Sequence, residues 1–347
     1  MTGIEEHGST TMANVSVVVV NYNSDDDLRG CLASLSSEGA AVPLDVCVVD
    51  NASSTGDVKM VAAGFPGTSL LINESNRGFA AACNQALALV GAPYILLLNP
   101  DTVVRPAAIQ RMGRFLDQHP EAGGVGCRLL NEDGTLQPSI TSFPQPLREA
   151  ISVGLRGILR NDARARSALS RLARPLGLAV SRFDTHDEAK SVDFVRGACL
   201  MVRRRAVEEV GPLDPAYFFT GEEMDWCYRM RKAGWRIYYY PEAEVIHFDH
   251  GSTRNIMGRV FVQTRKSTLV FYEKHYPKHA TFMMKVLTSL ALAAKALFLT
   301  GRLATGWSER DADLALREAS WFVARMNFSR RLRSGNLLLD HQFRYLR

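Results

Sequence analysis

Short apolar runs alternating with stretches of helical spacing fill roughly the first third of the chain, and that alternation narrows the possible folds more than any other feature. Val15–Val20, Val46–Asp50, Ser69–Ile72 and Tyr94–Leu98 are near-continuous apolar runs, the pattern of strands buried on both faces. Helix signals lie between them. Ser24 followed by Asp25, Asp26 and Asp27 is an N-cap with acids in its first turn, and Leu28, Cys31, Leu32 and Leu35 follow at helical spacing. Ala80–Val90 is rich in Ala and Leu, and Pro106 stands where a first turn would open before Ile109–Leu116. Strands alternating with helices predict βαβ units: an α/β fold with a mostly parallel central sheet and helices on both faces.

Later segments read differently. Residues 141–190 hold Pro144, Pro146, Pro175 and many arginines with no strand-like run, which predicts an inserted, partly helical segment. Strand character returns at Val192–Val202, Ile237–Tyr240 and Ala243–Phe248, with a helix over Glu222–Ala233. From Ile256 onward the pattern is helical, a C-terminal extension over 256–347. With 347 residues, 46% of them hydrophobic and 22% charged, the chain can build a large core, and wholesale disorder, collagen and coiled coil are excluded. Six cysteines, at 31, 47, 83, 127, 199 and 227, form no CxxC pair, as expected of free thiols in a reducing compartment. Residues 1–13 are polar, a disordered leader rather than a secretion signal, so the expected location is cytoplasmic.

Net charge is +5, with arginines clustered at 156–174 and 325–347. Phe282–Leu299 is apolar but interrupted by Lys285 and Lys295. A spanning helix needs about 20 largely apolar residues, so this segment is either an interfacial helix or a helix packed on the core. The basic clusters favour peripheral contact with the inner face of the cell membrane. No aromatic-interleaved motif accompanies the basic tail, so no nucleic-acid partner is expected.

In open α/β sheets, ligands bind beyond the carboxyl ends of the strands. Here those ends carry Asn21-Tyr22-Asn23, Asp50-Asn51-Ala52-Ser53, Asn76-Arg77-Gly78 and Asn99-Pro100-Asp101. One polar tip is ordinary turn chemistry; four together predict a shared ligand rim.

In order, VVVNYN, VVDNASS, NRGFAAACNQAL, LLLNPDT, VRGACLMVRR, GEEMDWCYRMRKAGW and EAEVIHF resemble the inverting GT-A glycosyltransferases of family 2, most of all their rhamnosyltransferase-type branch. The resemblance covers about residues 14–250. It implies the GT-A (nucleotide-diphospho-sugar transferase) fold, a catalytic domain over 14–255, and a nucleotide-diphospho-sugar donor. It further implies Mg2+ or Mn2+, a glycan or lipid-linked acceptor, and transfer with inversion. The donor it suggests is dTDP-L-rhamnose, with a UDP-hexose or a galactofuranose donor as the other choice. A non-catalytic nucleotide-sugar-binding scaffold is the reading from a different class, motivated by two departures from the family pattern.

Those departures are Asn99 and Glu223. Asn99-Pro100-Asp101 stands in place of the family's Asp-x-Asp, which implies Asp101 as a metal ligand and Asn99 as a ligand or a contact to ribose or sugar. Glu222-Glu223 stands in place of Glu-Asp, which implies Glu223 as the base that takes the acceptor's proton, with Asp225 as the alternative. His247 in EVIHF implies a second metal ligand, with His250 as competitor; without the resemblance His247 reads as a core histidine. Asn21 and Asp50 are implied donor contacts, Asp50 to base or ribose. Tyr22 either stacks on the base or caps the sheet. Asn76 and Arg77 are assigned to base or diphosphate. Gly197 and Ala198 resemble the acceptor-side loop, and Trp226 either stacks on a sugar or packs its helix. Arg254 and Arg265 are candidates for neutralising diphosphate charge.

Overall fold

The computed structural model describes residues 14–38, 42–54, 56–146, 186–249 and 257–303. The leader over 1–13, most of the 141–190 insertion, His250, Arg254 and the arginine-rich tail lie outside them. The described residues fall into two compact units, one running to Phe143 and from His186 to Val270, the other comprising 144–146 and the chain from Phe271.

The first unit is built on one mixed sheet. Its parallel half is β1 (Val15–Asn21), β2 (Leu44–Asp50), β3 (Thr68–Ile72) and β4 (Tyr94–Leu98), in the order β3-β2-β1-β4. The order continues through β11 (Cys199–Arg203), β6 (Ala122–Leu130), β12 (Arg236–His247) and β5 (Thr102–Val104). Strands β6 and β12 keep the direction of β4, whereas β11 and β5 run against it. Short strands flank this path: β7 (Leu136–Gln137) on β6 and β9 (Lys190–Val192) on β12. A separate two-stranded sheet pairs β8 (Ile140–Thr141) with β10 (Phe194–Val195). The run expected as one strand over Val192–Val202 is thus three pieces, broken at Asp193 and at Arg196–Ala198. The two runs expected before and after Pro241 are one strand with an irregular register between Tyr240 and Glu244.

Period-2 alternation sorts β1 between two faces. Val15, Val17 and Val19 join Leu28, Leu32 and Leu35 of α1 (Asp25–Glu38) and Met112 and Leu116 of α4 (Ala108–Gln118) in one buried cluster. Helix α3 (Phe79–Leu87) lies against β1 and β2, and its buried Ala80, Cys83 and Ala86 take no part in that cluster. Helix α2 (Val58–Ala63) packs on β3. Helix α4 begins two residues after Pro106, which was expected in its first turn. Ala107 turns left-handed at φ 64°, and the buried Glu38 carboxylate accepts Ala107 N at 2.5 Å and Ile109 N at 3.1 Å. A carboxylate on a helix N-terminus satisfies orphan donors and favours the dipole.

Strand β6 has no counterpart in the sequence reading. Its AGGVGC run lacks a strand's bulky side chains because its neighbours come too close: a Cβ at Gly126 would lie 2.5 Å from Val195 Cγ2. Helices α5 (Arg204–Val210) and α6 (Glu222–Lys232) precede β12, and α7 (Met257–His275) and α8 (Lys278–Leu303) follow it. Among the described residues no helix is long and apolar enough to cross a membrane. Helix α8 buries Thr281, Met284 and Thr288 while exposing Phe282, Met283 and Leu290. Lys285 donates to Glu273 Oε1 at 2.8 Å.

Candidate active site

The tips of β1 and β2 meet in register, Asn21 opposite Asp50. Both are buried, at 0% and 3% exposure. Asn21 Nδ2 donates to Asp25 Oδ1 at 2.8 Å and to Asp50 Oδ1 at 3.0 Å. Ser53 donates through Oγ to Asp50 Oδ1 at 2.6 Å and through N to Asp50 Oδ2 at 3.1 Å. Acceptors outnumber donors here. Asn21 Oδ1 and Asp25 Oδ2 are buried and have no hydrogen-bond partner among the described residues, a surplus that suits N–H or O–H groups of a ligand. Tyr22 is half-buried beside this tip.

Asn51, next along, organises the third tip. Its Oδ1 accepts Asn73 Nδ2 at 3.1 Å and Arg77 N at 3.0 Å, and its Nδ2 donates to Asn76 Oδ1 at 3.0 Å. Asn73 and Gln85 exchange two amide hydrogen bonds, both 2.9 Å. The Asn76-Arg77 loop is therefore tied at its backbone while the Arg77 side chain stays exposed. Gly78 closes the loop at φ +82°, where a Cβ would lie 2.7 Å from Phe218 O. Only glycine fits both the angle and the approach.

Asp101 and His247 are brought together. Strand β5 pairs antiparallel with the end of β12, Thr102 opposite His247, and Phe248 N donates to Asp101 O at 3.0 Å. The His247 Nε2 atom then lies 3.4 Å from Asp101 Oδ1, and its Nδ1 is 2.7 Å from Gln137 Oε1. Asn99 is held by its backbone: its N donates to Ala198 O at 3.0 Å, and its O accepts Thr102 Oγ1 at 2.7 Å. Ala198 is buried and serves this loop through its carbonyl. Gln137 was not singled out by sequence, because an amide in a two-residue strand carries no pattern of its own.

Gly197 and Glu223 also meet. A Cβ at Gly197 would lie 3.7 Å from Glu223 Cβ and Cγ, so the missing side chain opens the space beside that carboxylate. Gly221 N donates to Glu223 Oε2 at 3.0 Å. Burial pushes the Glu223 carboxyl above its ordinary range, opposed by the backbone N–H groups of Gly221 and Met224 and by the Arg196 charge. Its neighbour Glu222 is 6% exposed, with Oε2 lacking a partner among the described residues. Burial, then the Glu223 charge, holds Glu222 well above the usual carboxylate range.

Asp225 and Arg265 depart from their expected roles, and Trp226 takes the packing alternative. Asp225 is fully buried and ion-paired with Arg229 Nε at 2.8 Å, while Arg229 also donates to Val210 O at 2.6 Å and Pro212 O at 2.7 Å. It braces the start of α6 and is out of an acceptor's reach. Trp226, at 0% exposure, donates Nε1 to Gly211 O at 2.9 Å and has no face for a sugar. Arg265 is 5% exposed on α7, buried rather than open to a diphosphate.

A family model described as glycosyltransferase like family 2 matches residues 13–267. The chain belongs to this glycosyltransferase family. The family 2 transferase is 29% identical over 266 residues to an N-acetylglucosaminyl-diphospho-decaprenol L-rhamnosyltransferase of Mycobacterium tuberculosis, covering 74% of this chain and 82% of the relative. It is 25% identical over 262 residues to rhamnosyltransferase WbbL of Escherichia coli, covering 73% and 90%. Among solved structures, a mannosyltransferase of Pyrobaculum calidifontis in complex with GDP-Man and Mn2+ superposes with a TM-score of 0.53 at 18% identity, covering 90% of this chain and 81% of that one. The expected GT-A architecture is the one observed.

The Glu222 environment has a thermodynamic consequence for this transferase. Its folded-state pKa lies above the unfolded value, so the stability tied to its proton is complete below the unfolded pKa and is lost as pH rises towards the folded one. Glu222→Gln removes that loss. The variant's urea midpoint should exceed the wild type's by a margin that widens from pH 4 to pH 8; a constant or shrinking margin contradicts a protonated Glu222.

Proposed function

We propose that this transferase moves L-rhamnose from dTDP-L-rhamnose, with inversion, onto a lipid-linked or polysaccharide acceptor in cell-surface glycan synthesis. The names of the mycobacterial and Escherichia coli relatives support the sugar, and the decaprenol in the former supports a lipid-linked acceptor. The observation that carries the reading is Glu223, a half-buried carboxylate at the start of α6, steadied by Gly221 N and facing the gap left by Gly197.

In this reading Asn21, Asp50 and Tyr22 hold the nucleoside, and Asn76 and Arg77 hold base or diphosphate. Gly197 leaves room for the acceptor beside Glu223. The acceptor hydroxyl oxygen bonds to the anomeric carbon as the bond from that carbon to the diphosphate oxygen breaks. The electron pair leaves on the diphosphate, and the hydroxyl proton passes to Glu223. A raised carboxyl pKa improves a base whose task is near neutral pH.

Asp101 and His247 suit a divalent cation. A carboxylate oxygen and an imidazole nitrogen facing each other at 3.4 Å are one hard and one borderline donor of the kind Mn2+ takes. Asp101 and His247 would supply two ligands and leave positions for diphosphate oxygens and water. Bound there, Mg2+ or Mn2+ would neutralise charge growing on the leaving diphosphate. Asn99 contributes an amide where the family pattern has a carboxylate.

The apolar side of α8 supports contact with the inner face of the cell membrane. Phe282 and Leu290 are 66% and 62% exposed and lie two turns apart. Phe282→Glu with Leu290→Glu should abolish flotation with anionic vesicles; unchanged flotation contradicts this placement.

Transfer is tested with purified protein and a panel of nucleotide sugars. The expected result is consumption of dTDP-rhamnose with turnover falling about 10²–10⁴-fold in Glu223→Gln while donor affinity is kept. Consumption of a UDP-sugar instead overturns the donor assignment, and full turnover in Glu223→Gln overturns the base.

A further inference from the structure

We propose that Gln137 is a positioning residue that fixes the tautomer of His247 for metal binding, through a hydrogen-bond relay that begins at Asp133. The relay's metal-binding consequence rests on His247 being a ligand, as read under Proposed function; the tautomer itself does not.

The relay runs along the turn joining β6 to β7. A turn needs no side-chain relay, yet Asn131, Asp133, Thr135 and Gln137 form one with a fixed direction. Asp133 Oδ1 can only accept, and Thr135 Oγ1 lies 2.6 Å from it, so the single hydroxyl proton of Thr135 is committed there. Asn131 Nδ2 lies 2.8 Å from the same Thr135 Oγ1, which must accept. That choice orients the Asn131 amide and leaves its Oδ1 to accept Gln137 Nε2 at 3.2 Å. Gln137 Nε2 also lies 3.3 Å from His247 O, which can only accept. Both contacts put the Gln137 carbonyl oxygen, Oε1, against His247 Nδ1 at 2.7 Å.

A carbonyl oxygen cannot donate, so Nδ1 carries the ring hydrogen. In a neutral imidazole the lone pair is then on Nε2, the nitrogen 3.4 Å from Asp101 Oδ1. Two lone pairs face one another, an arrangement a cation between them would satisfy. Gln137 is 8% exposed, and backbone pairing in β7 and β12 holds the partners on either side. The ring is locked in both orientation and tautomer before any ion arrives. Second partners of this kind raise metal affinity by about 10–100-fold.

The test uses the full chain labelled with 15N-histidine. Two-bond 1H–15N spectra of the neutral imidazoles, with His247→Asn for assignment, should show His247 as the Nδ1–H tautomer, the one disfavoured in free histidine. Gln137→Leu should convert it towards Nε2–H and weaken Mn2+ binding, read by EPR of the free ion with dTDP present, about 10–100-fold. Gln137→Glu keeps an acceptor oxygen and should restore both. Thr135→Val, on the exposed turn and far from the fold's core, should disorder the relay and move the spectrum in the same direction without lowering the melting temperature. A wild-type Nε2–H signal overturns the proposal, as does a Gln137→Leu protein whose tautomer and Mn2+ affinity are unchanged. His247→Ala separates the two readings: if it binds Mn2+ like the wild type, the ligand assignment fails while the spectrum still decides the relay.

Discussion

Three backbone pairings carry the architecture of the site: Val104 with Val245, Val103 with Ile246 and Thr102 with His247. They join the chain just past the Asn99-Pro100-Asp101 tip to the far end of the longest strand. Without that ladder, Asp101 would be a polar residue at a strand end and His247 a histidine on an apolar strand. With it, their side chains lie within 4 Å of one another, and Phe248 N adds a further bond to Asp101 O. Asn99 is locked at the same time to Ala198, whose neighbour Gly197 makes room for Glu223. Strand β5 thus ties the tip of β4 to the end of β12, while the β4–β11 ladder ties the same tip to the residues that follow β10.

The three acids at the start of α6 illustrate how environment divides labour among similar groups. Glu222 points into the interior, where burial and the Glu223 charge raise its pKa well above the usual carboxylate range; Glu223 is half-buried, with backbone donors opposing its burial; Asp225 is spent on Arg229. All three are favoured by the helix dipole, so the dipole cannot distinguish them. Burial and partner do. Replacing Asp225 would leave the half-buried Arg229 only the carbonyls of Val210, Gly211 and Pro212, and would loosen the fold rather than change the chemistry.

The parallel half of the sheet was legible because Val15–Val20 and its counterparts are continuous apolar runs with polar ends. The same ends carried most of the candidate site: Asn21, Asp50, Asn76 and Asp101 all stand where strand termini put them. Strand β6 was hidden because close packing against Val195 and Trp235 demands glycine, which erases the usual strand signature. Asp225 and Trp226 were misplaced for a different reason. A helix pattern shows which residues share a face, but which face turns inward depends on the carbonyls of Val210, Gly211 and Pro212, distant partners that periodicity does not reveal. Gln137 was invisible because its importance lies wholly in what it touches.

The central claim is that Asp101 and His247 grip one divalent cation together with the donor's diphosphate. Pulsed EPR of Mn2+ bound to the protein with dTDP measures this directly, since it detects ligand nuclei coupled to the ion. The account predicts 31P coupling from the nucleotide and 14N coupling from one imidazole on the same Mn2+, with the nitrogen signal lost in His247→Ala. A nucleotide-bound Mn2+ without 14N coupling, or one whose nitrogen signal survives that substitution, would contradict it.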